Sequence, residues 1–194
     1  MLISLFSDAS LCHDQHVGGW AAWLKSDRGG TRAGAAFGIR VRDTSLAEAM
    51  AVVNGLTMGV RTGVIHDGDV VLVQTDNNAV MSVLTGTARR QATPAVKKRR
   101  KMSWRRLKRE VRDSNIEIDA ISSAFSRIVE ANGIEIRWRH VKGHSGIVDA
   151  RSAVNRYCDK VAKQHMRLAR GRSIPTYAQA VRARSERQEV RLAA

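Results

Sequence analysis

The chain has 194 residues, 43% of them apolar and 26% charged, enough for one domain of ordinary size with its own core plus an extension. Thirty-three Lys and Arg against 18 Asp and Glu leave a net charge of +15 and a pI near 11.1, an excess that points to an anionic partner, nucleic acid ahead of a membrane surface. No stretch approaches the ~20 apolar residues of a spanning helix, residues 1–6 meet Asp8 too early for a secretory signal, and Cys12 and Cys158 are too few for a disulfide framework or a Cys-based zinc site. The expectation is a cytoplasmic protein with no membrane partner.

In chain order, residues 2–7 form a short apolar strand stopped by Asp8. Residues 17–25 and 33–41 read as two further strands joined by Ser26-Asp27-Arg28-Gly29-Gly30. Residues 45–61 are helical, with Leu46, Met50, Val53, Leu56 and Val60 at steps of three and four. The β-branched run 69–74 is a buried strand, and 77–84 a short helix. A basic stretch comes after Pro94 and is read as a helix carrying Trp104 and Leu107. Residues 119–131 form an amphipathic helix ended by Asn132-Gly133. Residues 134–141 alternate as a half-buried strand, 150–168 are helical, and Gly171 and Pro175 set off a C-terminal helix. This order predicts an α/β layer fold with a hairpin sheet joined to parallel strands. The charge is concentrated: residues 89–112 hold twelve basic residues against Glu110, and 167–191 hold seven Arg against Glu186 and Glu189.

Four carboxylates fall at places where chemistry is built. Asp8 and Asp76 come directly after the first and fourth strands, and open α/β sheets carry their sites at the carboxyl ends of strands. Glu48 lies in the first turn of the helix after the hairpin, and Asp159 lies mid-helix, where Asp is a poor helix former. Acids without thiolates suit a hard cation such as Mg²⁺ or Mn²⁺. Two such ions ~3.5–4 Å apart can activate water and stabilise a leaving 3′ oxygen. Each acid also has a purely structural reading. Ser45-Leu46-Ala47-Glu48 fits a capping box with Ser45 as N-cap, Asp8 and Asp76 can cap turns, and Asp159 lies off the Val154-Tyr157-Val161 stripe and so reads as solvated. In the loop after the last strand, the Gly-flanked His144 has the chemistry to move protons or help product leave, with a solvent-facing side chain as the alternative.

The segments Phe6-Ser7-Asp8-Ala9-Ser10, Gly18-Gly19-Trp20-Ala21-Ala22, Ala47-Glu48-Ala49-Met50-Ala51, Gln74-Thr75-Asp76-Asn77, Val141-Lys142-Gly143-His144-Ser145-Gly146 and Asn155-Arg156-Tyr157-Cys158-Asp159-Lys160-Val161-Ala162 together resemble type 1 ribonuclease H. The resemblance covers about residues 1–168. It implies a ribonuclease H-like fold: a five-stranded mixed sheet, three strands antiparallel and the rest parallel, flanked by helices. It implies hydrolysis of the RNA strand of an RNA–DNA hybrid with two divalent ions, Mg²⁺ or alternatively Mn²⁺, leaving 5′-phosphate and 3′-hydroxyl ends. By position, Asp8, Glu48, Asp76 and Asp159 are then the metal ligands, and His144 assists proton transfer or product release. The basic helical insertion, 89–112, falls where many family members carry a cationic substrate-binding protrusion. Lys97, Lys98, Arg99, Arg100, Lys101, Arg105, Arg106, Lys108 and Arg109 would meet phosphates there, with Trp104 available to pack on a sugar or simply to bury itself.

The chain departs from many family members at Asp43-Thr44-Ser45-Leu46, where they have an Asn pair that touches the RNA 2′-hydroxyl. The basic extension 169–194 has no family counterpart. These departures leave two rival readings. One is a structure-selective DNA nuclease, such as a junction resolvase, of the same superfamily. The other is a nucleic-acid-binding module that has lost catalysis.

Overall fold

The structure, a computed structural model, describes residues 1–141 and 150–193. Its elements are β1 (Leu2–Cys12), β2 (Val17–Ser26), β3 (Gly29–Ala36), α1 (Thr44–Arg61), β4 (Val70–Thr75), α2 (Ala79–Leu84), α3 (Pro94–Arg100), α4 (Trp104–Ala131), β5 (Glu135–His140), α5 (Ala150–Ala169) and α6 (Tyr177–Ala193). They build one five-stranded sheet of order β3-β2-β1-β4-β5. The β1–β2 and β2–β3 pairs are antiparallel, and β1–β4 and β4–β5 are parallel. The mixed sheet expected from the sequence is therefore the sheet observed.

Side chains alternate across the central strands, and each parity has its own helical layer. Ile3 and Leu5 of β1, Ala22 and Leu24 of β2, and Val71 and Val73 of β4 pack with Leu46, Val52 and Leu56 of α1 and with Ile118 and Phe125 of α4. Phe6 and Ala21 turn the other way and pack with Cys158 and Ala162 of α5. The central strand β1 is thus covered on both faces, which is why Leu5 and Phe6, pointing opposite ways, are both apolar.

Several boundaries differ from the sequence reading. β1 does not stop at Asp8 but runs on to Cys12, because β2 pairs with it as far as Cys12↔Val17 after its parallel neighbour β4 has ended at Thr75. The third strand is Gly29–Ala36 rather than 33–41, so most of the expected turn belongs to the hairpin. The basic stretch and the expected 119–131 helix are joined. After α3 the chain reverses at Lys101, whose φ of 50° is left-handed, and α4 then runs unbroken for 28 residues. Positions 107, 111, 114, 118, 121, 125 and 128 keep one phase of alternating steps of four and three, so the polar Ser114 only interrupts the visible stripe.

At the opposite end of β4 from its carboxyl terminus, Asp69 is 3% exposed and is held by the Met1 ammonium (2.9 Å), the His66 backbone N–H (2.8 Å) and the Arg28 guanidinium. Burial alone would raise this carboxyl, but the three donors outweigh it and hold it at about 2. A depressed acid contributes stability above its unfolded value of 3.8, and that contribution is lost as pH falls through about 2. Asp69→Asn should cost about 2 kcal/mol at pH 7 and remove part of the acid unfolding between about pH 4 and 2. Urea melts at pH 7 and pH 3 check this, and an equal loss at both would reject it.

The C-terminal segment is tied down before it becomes α6. Ile174 is buried against Val17 and Ala169. Arg40 donates its backbone N–H to the Pro175 carbonyl (2.8 Å) and its Nε–H to the Ile174 carbonyl (3.0 Å). The Gly171 N–H donates to Gln15 Oε1 (3.1 Å). Among the described residues no helix is long and apolar enough to cross a membrane.

Candidate active site

β1 and β4 end their parallel pairing at Phe6↔Gln74. Asp8 and Asp76 each stand two residues beyond that pair, so the register sets them level, at the carboxyl end of the parallel part of the sheet. Asp8 is 9% exposed and Asp76 lies at the surface. The backbone around Asp76 is fixed: Thr75 Oγ1 accepts the Asn77 N–H (3.1 Å), and the His140 imidazole Nε2 is 3.1 Å from the Asp76 carbonyl oxygen.

Glu48 reaches this point from α1. The capping-box alternative fails, because the N-cap is Asp43, whose Oδ1 accepts from the N–H groups of Ser45 (2.8 Å) and Leu46 (3.3 Å). Glu48 is therefore the fifth residue of α1, facing inward and 5% exposed. Its carboxyl is hydrogen-bonded to that of Asp8, which requires a shared proton, and the Ala9 backbone also contributes a hydrogen bond. Burial, then the charges of Asp8 and Asp76, push Glu48 up to about 10. Burial, then Asp76 and Asp159, raise Asp8 to about 7.

Asp159 lies on α5 one residue after the buried Cys158 and is half-exposed, its Oδ2 accepting from Lys163 Nζ at 2.8 Å. An exposed i,i+4 pair of this kind is worth about 0.3–0.5 kcal/mol, too little to hold Asp159 against a divalent cation. The solvated position expected for it is thus only half right, since Asp8 senses its charge. The four acids form one electrostatic cluster: a bonded buried pair, Asp8 and Glu48, flanked by Asp76 and Asp159. His144 lies outside the described residues.

Does the cluster suit a cation? Among the described residues no three Asp, Glu, His or Cys side chains stand close enough to ligate one ion together. The donor chemistry nevertheless fits. Glu48 Oε2 is buried with no hydrogen-bond partner, a costly condition that a cation would relieve. The acids whose charges Glu48 feels, Asp8 and Asp76, offer carboxylate oxygens, as hard divalent ions prefer.

The basic residues form a second feature. Lys97, Lys98, Arg99 and Arg100 lie on α3, Lys101 is its left-handed C-cap, and Trp104, Arg105, Arg106, Lys108 and Arg109 fall in the first turns of α4. Trp104 is 37% exposed with Lys97 Nζ 5.5 Å from its ring centre. Leu107 is fully buried and anchors the stretch. A groove of about 560 Å³ runs beside them, lined by Arg40, Arg42, Arg90, Arg100, Arg106 and Arg109. Three acids partner four of these: Asp43 with Arg90 (2.8 Å), Asp113 with Arg42 (3.4 Å), and Glu110 with both Arg100 and Arg106 (3.1 Å each). Sequence reasoning missed Arg40, Arg42 and Arg90 as groove residues. Arg40 and Arg42 alternate with Ile39 and Val41 in a strand-like pattern, and Arg90 reads in the sequence only as charge.

The model of the RNase H family matches residues 2–167. The chain belongs to the RNase H family. This membership makes it a hydrolase of the ribonuclease H type, a family that uses divalent metal ions. Among solved structures, LC11-RNase H1 in complex with an RNA/DNA hybrid, isolated from compost by a metagenomic approach, is similar at a TM-score of 0.54 and 12% identity, covering 86% of this chain and 98% of that one. The N-terminal RNase H domain of a Mycobacterium tuberculosis protein matches at a TM-score of 0.48 and 19% identity, over 87% of this chain and 95% of that one. RNase H1 of Halobacterium salinarum matches at 0.48 and 17%, over 85% and 97%. Curated protein sequences yield no significant match.

Proposed function

We propose that this RNase H protein hydrolyses the RNA strand of RNA–DNA hybrids at the cluster Asp8, Glu48, Asp76 and Asp159, which would hold two divalent ions, Mg²⁺ or Mn²⁺. The observation that carries the reading is the buried Asp8–Glu48 pair at the carboxyl end of the parallel strands, with Glu48 Oε2 left without a partner. Ions bound there would activate water and stabilise the leaving 3′ oxygen, giving 5′-phosphate and 3′-hydroxyl ends.

The chain's own residues do the rest. Asp8 and Glu48, both raised by burial, would hold a cation only in deprotonated form, so loading would be favoured by rising pH. The Asp76 carboxylate is presented by a backbone that Thr75 and His140 fix on either side. The arginines of the groove and the Lys and Arg of α3 and α4 hold the backbone phosphates. Their exposed ion pairs, worth about 0–1 kcal/mol each, yield to stronger charge-assisted bonds with phosphate. At the first turn of α1, the hydroxyls of Thr44 and Ser45 stand in for the family's Asn pair as partners of the RNA 2′-hydroxyl.

The test is an Mg²⁺-dependent cleavage assay on end-labelled hybrid, duplex RNA, duplex DNA and a four-way junction. Cleavage should be confined to the RNA of the hybrid, and Asp76→Asn should abolish it while leaving binding nearly intact. Replacing Lys97, Lys98, Arg99 and Arg100 with Ala should flatten the salt dependence of binding by about one unit of log–log slope per lost phosphate contact. Cleavage of DNA or of the junction instead would move the activity to structure-selective nucleases. Binding without metal-dependent cleavage would mark a module that has lost catalysis.

A further inference from the structure

The family match ends at residue 167, and the remaining C-terminal residues lie outside the family pattern. The tied segment 170–176 gives the last helix a fixed point of departure. Thr176 lines the wall of the arginine groove together with Arg40 and Arg42. It also starts α6, with its Oγ1 accepting the Gln179 N–H (3.3 Å) and its carbonyl accepting the Ala180 N–H (3.0 Å). From there α6 extends 17 residues, or about 25 Å.

The described part of α6 displays little apolar surface. Val181, 43% exposed, is the one large apolar side chain displayed by its described part, where a helical dimer needs an apolar seam repeated every three to four residues. Its charge is unbalanced. Arg184 and Arg187 are exposed at i,i+3 on one face, and among the described residues neither has a carboxylate partner. Arg182 shares its face with Glu186, four residues on, which offsets it.

We propose that α6 is a second nucleic-acid-binding arm, in which Arg184 and Arg187 contact backbone phosphates of the duplex held in the groove, beyond the segment that enters the acid cluster. The inference rests on the reading of the site as hybrid-binding. The groove supplies continuity, since its wall and the start of α6 are the same residue. The partner is a polyanion, because among the described residues of the arm the Arg184 and Arg187 guanidinium groups have no carboxylate partner and Val181 is the one large apolar side chain displayed. Its contacts are independent of sequence, as phosphate contacts are.

The experiment measures binding and cleavage against salt for the wild type, Arg184→Ala/Arg187→Ala, Arg182→Ala/Glu186→Ala, and a chain ending at Tyr177. Each is assayed on a hybrid of about 8 base pairs, which fills only the cleft, and on one of about 30 base pairs, longer than the reach of α6 at ~3.4 Å per base pair. On the long hybrid, the 184/187 variant and the truncation should lower the log–log salt slope by up to about two units and weaken binding accordingly. The 182/186 variant should match the wild type. On the short hybrid all four should cleave alike, because the acid cluster is untouched. An unchanged slope on the long hybrid overturns the arm, and so does a fall in the number of subunits per particle on truncation, read by sedimentation, which would make α6 a self-association helix. If the wild type cleaves no hybrid at all, the reading of the site fails separately, and the binding slopes still decide the arm.

Discussion

Glu48→Gln is expected to destroy metal-dependent activity and at the same time make the metal-free protein more stable. The amide keeps the shape of Glu48 in its buried position beside Asp8 but cannot ionise. In the wild type both acids have folded values above their unfolded ones, Asp8 at about 7 against 3.8 and Glu48 at about 10 against 4.5. The native chain therefore binds protons that the unfolded chain releases, and stability falls as pH rises through about 4 to 10, opposite to the usual carboxylate behaviour. Removing one partner should raise metal-free stability at pH 8 by about 1–3 kcal/mol, or ~2–4 °C in Tm per kcal/mol, and flatten the pH dependence. The wild type should recover stability on adding Mg²⁺, by mass action on a site only the folded chain has, and the variant should lose most of that gain. Turnover should fall by about 1,000-fold or more, since metal-ion catalysis supplies several kcal/mol of transition-state stabilisation. Thermal melts in EDTA and in Mg²⁺ at pH 5, 7 and 9 give the answer. A variant less stable than wild type in EDTA at pH 8, with its Mg²⁺ response intact, would show that Glu48 is structural.

Much of this site is legible in the sequence because the acids sit in short motifs on elements that periodicity already outlines. The sequence hides the reason they meet. Asp8 looks like a strand terminator, yet it lies inside β1, tolerated there because β4 has ended beside it while β2 continues to pair. Glu48 looks like the third residue of a capped helix. Its inward direction is evident only once the cap moves two residues back to Asp43, whose carboxylate also holds Arg90. The long helix α4 is hidden by Ser114, which breaks the apolar stripe without breaking its phase. The groove arginines at 40, 42 and 90 come from two separate stretches of chain, and no single-sequence pattern joins residues that only the fold brings together.

Gly19→Ala is expected to be the most damaging Gly→Ala change among the described residues, and through packing rather than chemistry. Gly19 lies on β2 directly beneath α5, where an added Cβ would overlap the Ala162 carbonyl oxygen and the Met166 amide nitrogen and stand 2.7 Å from His165 Cβ. Two of these three atoms are helix backbone, which cannot rotate away as a side-chain end can. Gly34 on the adjacent strand faces the same helix, with Val161 Cγ1 2.6 Å and the Trp20 carbonyl oxygen 2.8 Å from its would-be Cβ. The helix is thus seated on two glycines, and close-packed interiors transmit such a shift rather than absorb it. Overpacking costs about 1–3 kcal/mol, and Gly19→Ala should fall at the upper end, lowering Tm by roughly 6–12 °C. Because Asp159 rides on α5 one turn before the contact, a displacement of about 1 Å should also lower turnover on the order of 100-fold, beyond what partial unfolding explains. Gly38→Ala, with nothing within 4 Å of its Cβ and an ordinary φ, is the control and should be neutral or slightly stabilising. Turnover measured well below the melting temperature separates the two effects. A Gly19→Ala protein that melts lower but turns over normally would show that α5 yields as a whole and that the position of Asp159 tolerates the shift; one that melts like wild type would show that α5 is not seated on Gly19.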